Sequence, residues 1–314
     1  VEVYDAPAMP RSARLALVTA CFLWAVSFVA TKVALETTPP LLVVSLRLVI
    51  SALCFLPWLV VGNSRRLESP RILAQLFGLS LLGTGLHYGI QTVGLQYTTA
   101  TNASLFAVTG PITILLLSAV VLHERISLQK TFGVAVAVVG VLVVMGRGTL
   151  SGFDFGAHVY GDLMVLISIV MWGLFTVFGK RLTDELGAMR VTAMATVMGA
   201  VWMLPVGWLE SRSSSFPLVE ITPETWIAIA FLGIGCSFLA TLLYFSALER
   251  TESQKVGVYM YTIPPMTAAF AALILGEVMT INLLVGSLLV ISGVALTERA
   301  SNSSDQQKNV SDES

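Results

Sequence analysis

The sequence predicts an all-α membrane protein of ten transmembrane helices, arranged as two five-helix inverted-topology repeats. Three observations predict it: an excess of apolar residues, their grouping into ten long runs, and a pattern in the first half that returns in the second. Of 314 residues, 55% are hydrophobic and 12% charged, with mean hydropathy +0.82. A soluble domain carries about 25% charged residues, so one soluble core cannot hide this much apolar surface. The net charge of −1 offers no basic field for a nucleic-acid partner.

A helix needs about 20 apolar residues to cross the hydrocarbon of a bilayer. The runs that qualify are 15–35, 40–61, 72–95, 101–122, 128–146, 161–179, 189–208, 225–247, 256–275 and 281–297. Runs this long exclude a barrel of short alternating strands, and helices satisfy their own backbone within lipid. The expected organisation is a cytoplasmic segment 1–14, a first repeat 15–146, an outer linker 147–160, a second repeat 161–297 and a disordered cytoplasmic tail 298–314. Arg11 and Arg14 ahead of the first run resemble a signal peptide. That run is too long for a signal core and lacks a small-residue cleavage site, so it reads as a retained span. The polar tail from Ser301 is rich in Ser, Asp and Gln, a composition that does not build a core. Cys21, Cys54 and Cys236 sit inside apolar runs and read as small buried hydrophobes. They form neither a disulfide framework nor a metal site, and no cofactor is expected.

Lys and Arg orient the chain. With the N-terminus cytoplasmic, Arg11, Arg14, Arg65, Arg66, Arg71, Arg125, Lys130, Lys180, Arg181, Arg190, Arg250, Lys255, Arg299 and Lys308 all fall inside. Only Arg147 and Arg212 fall outside, while Lys32 and Arg47 lie within spans. This asymmetry predicts an even number of spans with both termini cytoplasmic, in the plasma (inner) membrane.

The halves match. Trp24 precedes Lys32 by eight residues, as Trp172 precedes Lys180. At an offset of 153, Pro111 meets Pro264, Glu124 meets Glu277, Gly133 meets Gly286 and Gly140 meets Gly293. Five spans per half is an odd number, so the second half enters from the opposite side. Inverted repeats of this kind place a transport site near the midplane, between two mirrored gates.

The segments FLWAVSFVATKVAL, PLLVVSLRLVISAL and TGPITILLLSAVVLHERISLQKTFGVAVAVVGV, repeated as IVMWGLFTVFGK, MRVTAMATVMGA and TIPPMTAAFAALILGEVMTINLLVGSLLVISGV, resemble the drug/metabolite transporter superfamily, specifically its EamA-type transporters. The resemblance spans about residues 15 to 297. It implies two five-helix repeats around a central cavity and export of small metabolites, often amino acids or related compounds.

Candidate site residues follow. Arg47 is the only charge deep in a span, seven residues past Pro40, or roughly 10 Å at ~1.5 Å per residue. It reads either as a bidentate ligand for a substrate carboxylate or as an anchor that snorkels or binds a helix end; Arg190 resembles its repeat counterpart. Lys32 and Lys180 read as gate contacts to helix ends or as interfacial ammonium groups. Glu124 and Glu277, at span ends, read as helix caps. The third span carries a stripe of Ser80, Thr84, His87, Tyr88 and Gln91, mostly on one face. At offset 153, Thr84, Tyr88 and Gln91 meet Ser237, Thr241 and Tyr244. The hydroxyls also suit interhelical hydrogen bonds, whereas His87, Gln91 and Tyr244 suit a polar cavity. Asn102, Tyr259 and Thr262 add to the candidate wall, as do the aromatic Trp24 and Trp172. Pro111, Pro264 and Pro265 are expected to kink the fourth and ninth helices as hinges.

No Asp or Glu lies mid-membrane, so a carboxylate proton relay is not evident; His87 is the residue that titrates in a useful range. The alternative is facilitated flux. An intramembrane enzyme is the competing class, but paired mid-span Asp residues, HExxH and Walker patterns are absent. Within transporters, the alternative is an exchanger of anions or phosphorylated metabolites.

Overall fold

The computed structural model describes residues 11–61, 69–110, 112–113, 116–117, 128–145, 157–248 and 259–312, without side chains at 60–61, 145, 157, 180–181, 245, 248 and 297–312. Pro111, Glu124, the Lys180 side chain, residues 1–10 and the linker residues 147–156 lie outside the described residues. The described elements are helical, with no strand among the described residues.

The helices are α1 (Arg11–Leu35), α2 (Pro40–Val61), α3 (Pro70–Ser80), α4 (His87–Leu95), α5 (Ala100–Ala107), α6 (Leu128–Met145), α7 (Ala157–Leu186), α8 (Ala188–Ser213), α9 (Pro223–Ala230), α10 (Ala240–Leu248), α11 (Ile263–Ile274) and α12 (Ile281–Asp312). Two π-helical segments, Leu81–Leu86 and Phe231–Leu239, join α3 to α4 and α9 to α10. Starts follow the sequence chemistry. Ser69, Thr99 and Thr222 accept from the backbone N–H groups of Ile72, Asn102 and Thr225 at 3.4, 3.1 and 3.3 Å. Pro70 and Pro223 open their helices, where a missing N–H costs nothing. Gly187, at φ 84°, turns α7 into α8, a backbone state that glycine adopts freely. α12 runs on to Asp312 through a tail whose composition predicts disorder; no proline or glycine interrupts residues 298–312.

Five helical stretches among the described residues are long and apolar enough to cross a membrane: Arg11–Leu35, Pro40–Leu59, His158–Gly179, Ala188–Ser213 and Pro223–Tyr244. Leu128–Val144, Ile263–Ile274 and Ile281–Leu296 are shorter apolar helices. Their outward faces carry bare hydrocarbon, among them Leu15, Val201, Ile281 and Leu273, the last 81% exposed. A surface of that kind is unfavourable in water and neutral in lipid.

The halves pack reciprocally. α4 lies on α7 and α10 on α1; α5 lies on α7 and α11 on α1. α2 packs on α8, α5 on α11 and α6 on α12. Exchanging the halves maps this set of contacts onto itself. Burial repeats at offset 153 as well. Leu76 and Ile229 are both buried, as are Leu79 and Leu232, and Thr84 and Ser237. Leu86 and Leu239, which close the two π-segments, face outward at 42% and 37% exposure.

The matched glycines mark the tightest crossing. A Cβ on Gly140 would lie 2.6 Å from the Val290 N and 2.9 Å from the Gly286 O, and one on Gly293 would lie 2.6 Å from the Gly133 O. Gly140 thus faces Gly286 as Gly293 faces Gly133, so α6 and α12 cross on the axis that relates the repeats. Small residues let membrane helices approach this closely.

Turn backbone precedes the proline positions in both halves, with Pro111 itself outside the described residues. In one half the helix stops at Ala107, with turn backbone at Val108 and Thr109; in the other, turn backbone occupies Tyr261 and Thr262, at the same offset. The Thr109 N–H donates to the Phe106 O at 2.9 Å and the Thr262 N–H to the Tyr259 O at 3.0 Å. The threonine hydroxyls reinforce both turns, at 2.7 and 2.6 Å to the same carbonyls. Pro264 and Pro265 then stand in the first turn of α11, where they start a helix rather than bend one.

Candidate functional site

Elements of both halves converge on a cavity of about 30 Å³, room for about two water molecules. Its wall draws Leu48 from α2, Gly83 and Thr84 from the first π-segment and Tyr88 from α4. The other half contributes Trp172 and Phe175 from α7, Thr192, Ala195 and Thr196 from α8, and Ser237 and Thr241 from the second π-segment and α10. The wall combines hydroxyls with aromatic side chains.

The π-segments shape this wall. A π-turn inserts an extra residue and widens the helix locally. Gly83 and Gly85 then admit the Phe175 and Trp202 rings against the backbone, at distances where a Cβ would collide. The Trp202 indole N–H donates to the Ser80 hydroxyl at 3.2 Å, and the Thr84 hydroxyl to the Ser80 O at 2.6 Å. These contacts fix the polar face of the third span toward the second half.

Arg47 lies one side chain behind the wall and is 5% exposed. Its Nε–H donates to the Ser237 hydroxyl at 2.6 Å, and its guanidinium carbon stands 4.1 Å from the centroid of the Tyr88 ring. His87 continues the row, with ring centroids 4.9 Å from Tyr88 and 5.3 Å from Trp172. Trp172 in turn stacks on Phe175 at 5.3 Å and 29°. The His87 Nδ1 is 2.8 Å from the Ser168 carbonyl. A carbonyl only accepts, so Nδ1 carries the proton and a neutral ring leaves Nε2 as an acceptor.

Of the residues expected from sequence, Thr84, Tyr88, Trp172 and Thr241 line this cavity, and Arg47 and His87 back it. Trp24, Tyr244 and Tyr259 lie elsewhere. Trp24 packs on Tyr244 at 5.3 Å and donates to the Cys236 O at 3.2 Å, while Tyr244 and Tyr259 pack with Leu17 and Ala247. Gln91, half-buried in α4, is not in the wall. Asn102 is buried in the first turn of α5, and Thr262 closes the turn before α11. Matched sequence position carried these residues to equivalent helices, but the two sides of the pseudo-axis are packed differently. Sequence reading missed Phe175, Thr192 and Thr196. A signal existed, since Thr192 and Thr196 are four apart in an apolar span, the spacing that marked the third span.

Charged side chains bind helix ends. The Lys32 Nζ donates to the Leu95 O at 2.8 Å and the Thr98 O at 2.9 Å, closing the C-terminus of α4. Glu277 accepts from the Ala100 N–H at 2.6 Å, the Thr101 N–H at 3.1 Å and the Thr101 hydroxyl at 2.6 Å, capping α5 from the other half. Glu210 accepts from the Leu42 N–H at 2.9 Å at the start of α2. Each charge complements the dipole of the helix it caps. The Thr98 hydroxyl also donates to the buried Asp162 carboxylate. No group of three or more His, Cys, Asp or Glu side chains among the described residues is placed to hold a metal.

The EamA-like transporter family matches this chain twice, over residues 11–146 and 159–299. The chain belongs to that family. An uncharacterized transporter of Archaeoglobus fulgidus is 28% identical over 289 residues, covering 92% of this chain and 98% of the relative. The uncharacterized transporter YoaV of Bacillus subtilis is 27% identical, covering 89% of this chain and 94% of the relative. A solved crystal structure superposes with a TM-score of 0.63 at 22% identity, covering 91% of this chain and 98% of the other, a likeness of fold. This EamA-like protein is therefore a multi-pass membrane transporter, with the cavity between its two matched halves.

Proposed function

We propose that the protein exports small metabolites, amino acids or related amphipathic compounds, across the plasma (inner) membrane by alternating access. In this reading ten spans form two inverted five-helix repeats, and both termini are cytoplasmic. The observation that carries it is the cavity itself, walled by both halves and flanked by two π-segments at matched positions. Lysine and arginine asymmetry supports the orientation.

The different packing on the two sides of the pseudo-axis supports alternating access. Around Trp172 the rings border open space, whereas around Trp24 the ring packs on Tyr244 and its N–H is bonded. Room for about two waters is less than a metabolite needs, so loading requires the wall to part. The paired breaks before Pro264 and at Val108–Thr109 are the positions for hinges, because their backbones are already outside the helical ladder. Lys32 and Glu277 serve as latches on helix ends. Exchange of phosphorylated metabolites is the weaker reading, since among the described residues Arg47 is the only cation against the wall.

The test compares metabolites accumulating in cells with and without the protein, then measures flux of those compounds into liposomes holding the purified protein. Flux that is saturable and abolished by bulky substitution at Thr196 supports the reading. Liposomes no more permeable than protein-free ones contradict it.

A further inference from the structure

We propose that the cavity selects amphipathic monocarboxylates, with Arg47 receiving the carboxylate and Tyr88, Trp172 and Phe175 receiving a flat apolar body; this rests on the reading of the cavity as the transport site. Arg47 is a charge without an ionic counterpart among the described residues. Arg47 is 5% exposed in the middle of α2, where a lone cation is costly. Its partners are neutral, the Ser237 hydroxyl at 2.6 Å and the Tyr88 ring at 4.1 Å. No described carboxylate pairs with it. Of its five N–H donors only the Nε–H has a protein partner among the described residues, which leaves the two Nη groups as a fork that fits a carboxylate bidentately.

Ser237 sharpens the site. Its oxygen accepts from Arg47, so its own O–H remains a donor beside the guanidinium, in the wall of the cavity. A displacement of the Tyr88 ring, which separates Arg47 from the cavity, joins the two. The rest of the wall fixes the class of ligand. It carries threonine hydroxyls and the stacked Trp172–Phe175 pair, and no carboxylate to meet an ammonium group. A single guanidinium balances one negative charge and leaves a phosphate dianion half-neutralised. A zwitterion meets its cation only with hydroxyls and ring faces. The matched half offers no second copy, because Arg190 is the third residue of α8, whereas Arg47 is the eighth residue of α2.

The experiment measures saturable binding to the purified full-length protein by equilibrium dialysis of 3-phenylpropionate, 3-phenylpropanamide, 2-phenylethylamine and phenylalanine. The carboxylate is expected to bind about tenfold or more tighter than the other three, by the charge-assisted bonds it alone makes uncompensated. Arg47→Gln is expected to remove that preference while the amide binds as before, and Arg47→Lys to restore part of it. Should Arg47→Gln fail to fold, the wild-type ranking and a several-fold loss for the carboxylate in Ser237→Ala carry the test. Equal binding of the amide or amine, no saturable binding of the carboxylate, or an unchanged ranking in Arg47→Gln overturns the proposal. Flux in liposomes separates the two claims. Carboxylate binding without flux leaves this site standing and removes the transport reading; flux of phenylalanine with no carboxylate preference does the reverse.

Discussion

Where α6 crosses α12, the two halves meet backbone to backbone through Gly140, Gly286 and Gly293; where α2, α8 and the π-segments meet, they do so through hydroxyls, rings and one guanidinium. The first contact obeys the pseudo-symmetry residue by residue. The second obeys it in burial, with Thr84 and Ser237 equally hidden, but not in chemistry. Thr84 donates to the Ser80 O, whereas Ser237 accepts from Arg47. Close packing tolerates no change at a duplicated position, since the partner backbone has nowhere to go. A ligand is not two-fold symmetric, so the wall that meets it diverges.

The largest effect is expected at the seam. Gly140→Leu or Gly286→Leu places carbon inside backbone atoms of the facing helix and should cost about 3 kcal/mol or more, read as a lowered unfolding temperature in detergent. A variant as stable as the parent would break the contrast. Next comes Glu277→Ala, which removes three hydrogen bonds from the start of α5 and should cost about 2–3 kcal/mol. A cysteine placed at Thr101 should then react faster with a maleimide. Lys32→Met frees the Leu95 and Thr98 carbonyls and should cost about 2 kcal/mol, with faster hydrogen exchange at the end of α4. The smallest change in stability, under about 1 kcal/mol, is expected for Thr196→Val in the wall. There the readout is flux, with KM rising several-fold while the unfolding temperature holds.

Much of this was legible in the chain. The family was readable from duplicated segments, and the helical membrane class from apolar runs that reappear as α1, α2, α7 and α8. The glycine pair was visible as a pattern, but that α6 meets α12 through it is a long-range fact that periodicity does not encode. The same limit applies at the prolines. Their position in the chain was plain, yet whether a proline bends a helix or begins one depends on the turn before it, here held by Thr262 on Tyr259. The polar stripe led to Thr84 and Tyr88 because spacing defines a face. It placed Tyr244 on the matched helix but not in this wall, because matched position does not guarantee matched surroundings: Trp24 packs on Tyr244, whereas its counterpart Trp172 borders the cavity.

The most direct measurement places a single cysteine at Thr196, with Cys21, Cys54 and Cys236 replaced by alanine, in sealed vesicles of known orientation. A membrane-impermeant thiol reagent is added from one side or the other. The account predicts labelling from both sides, because one site between the halves opens to each in turn. Labelling from one side alone, or from neither, would contradict it.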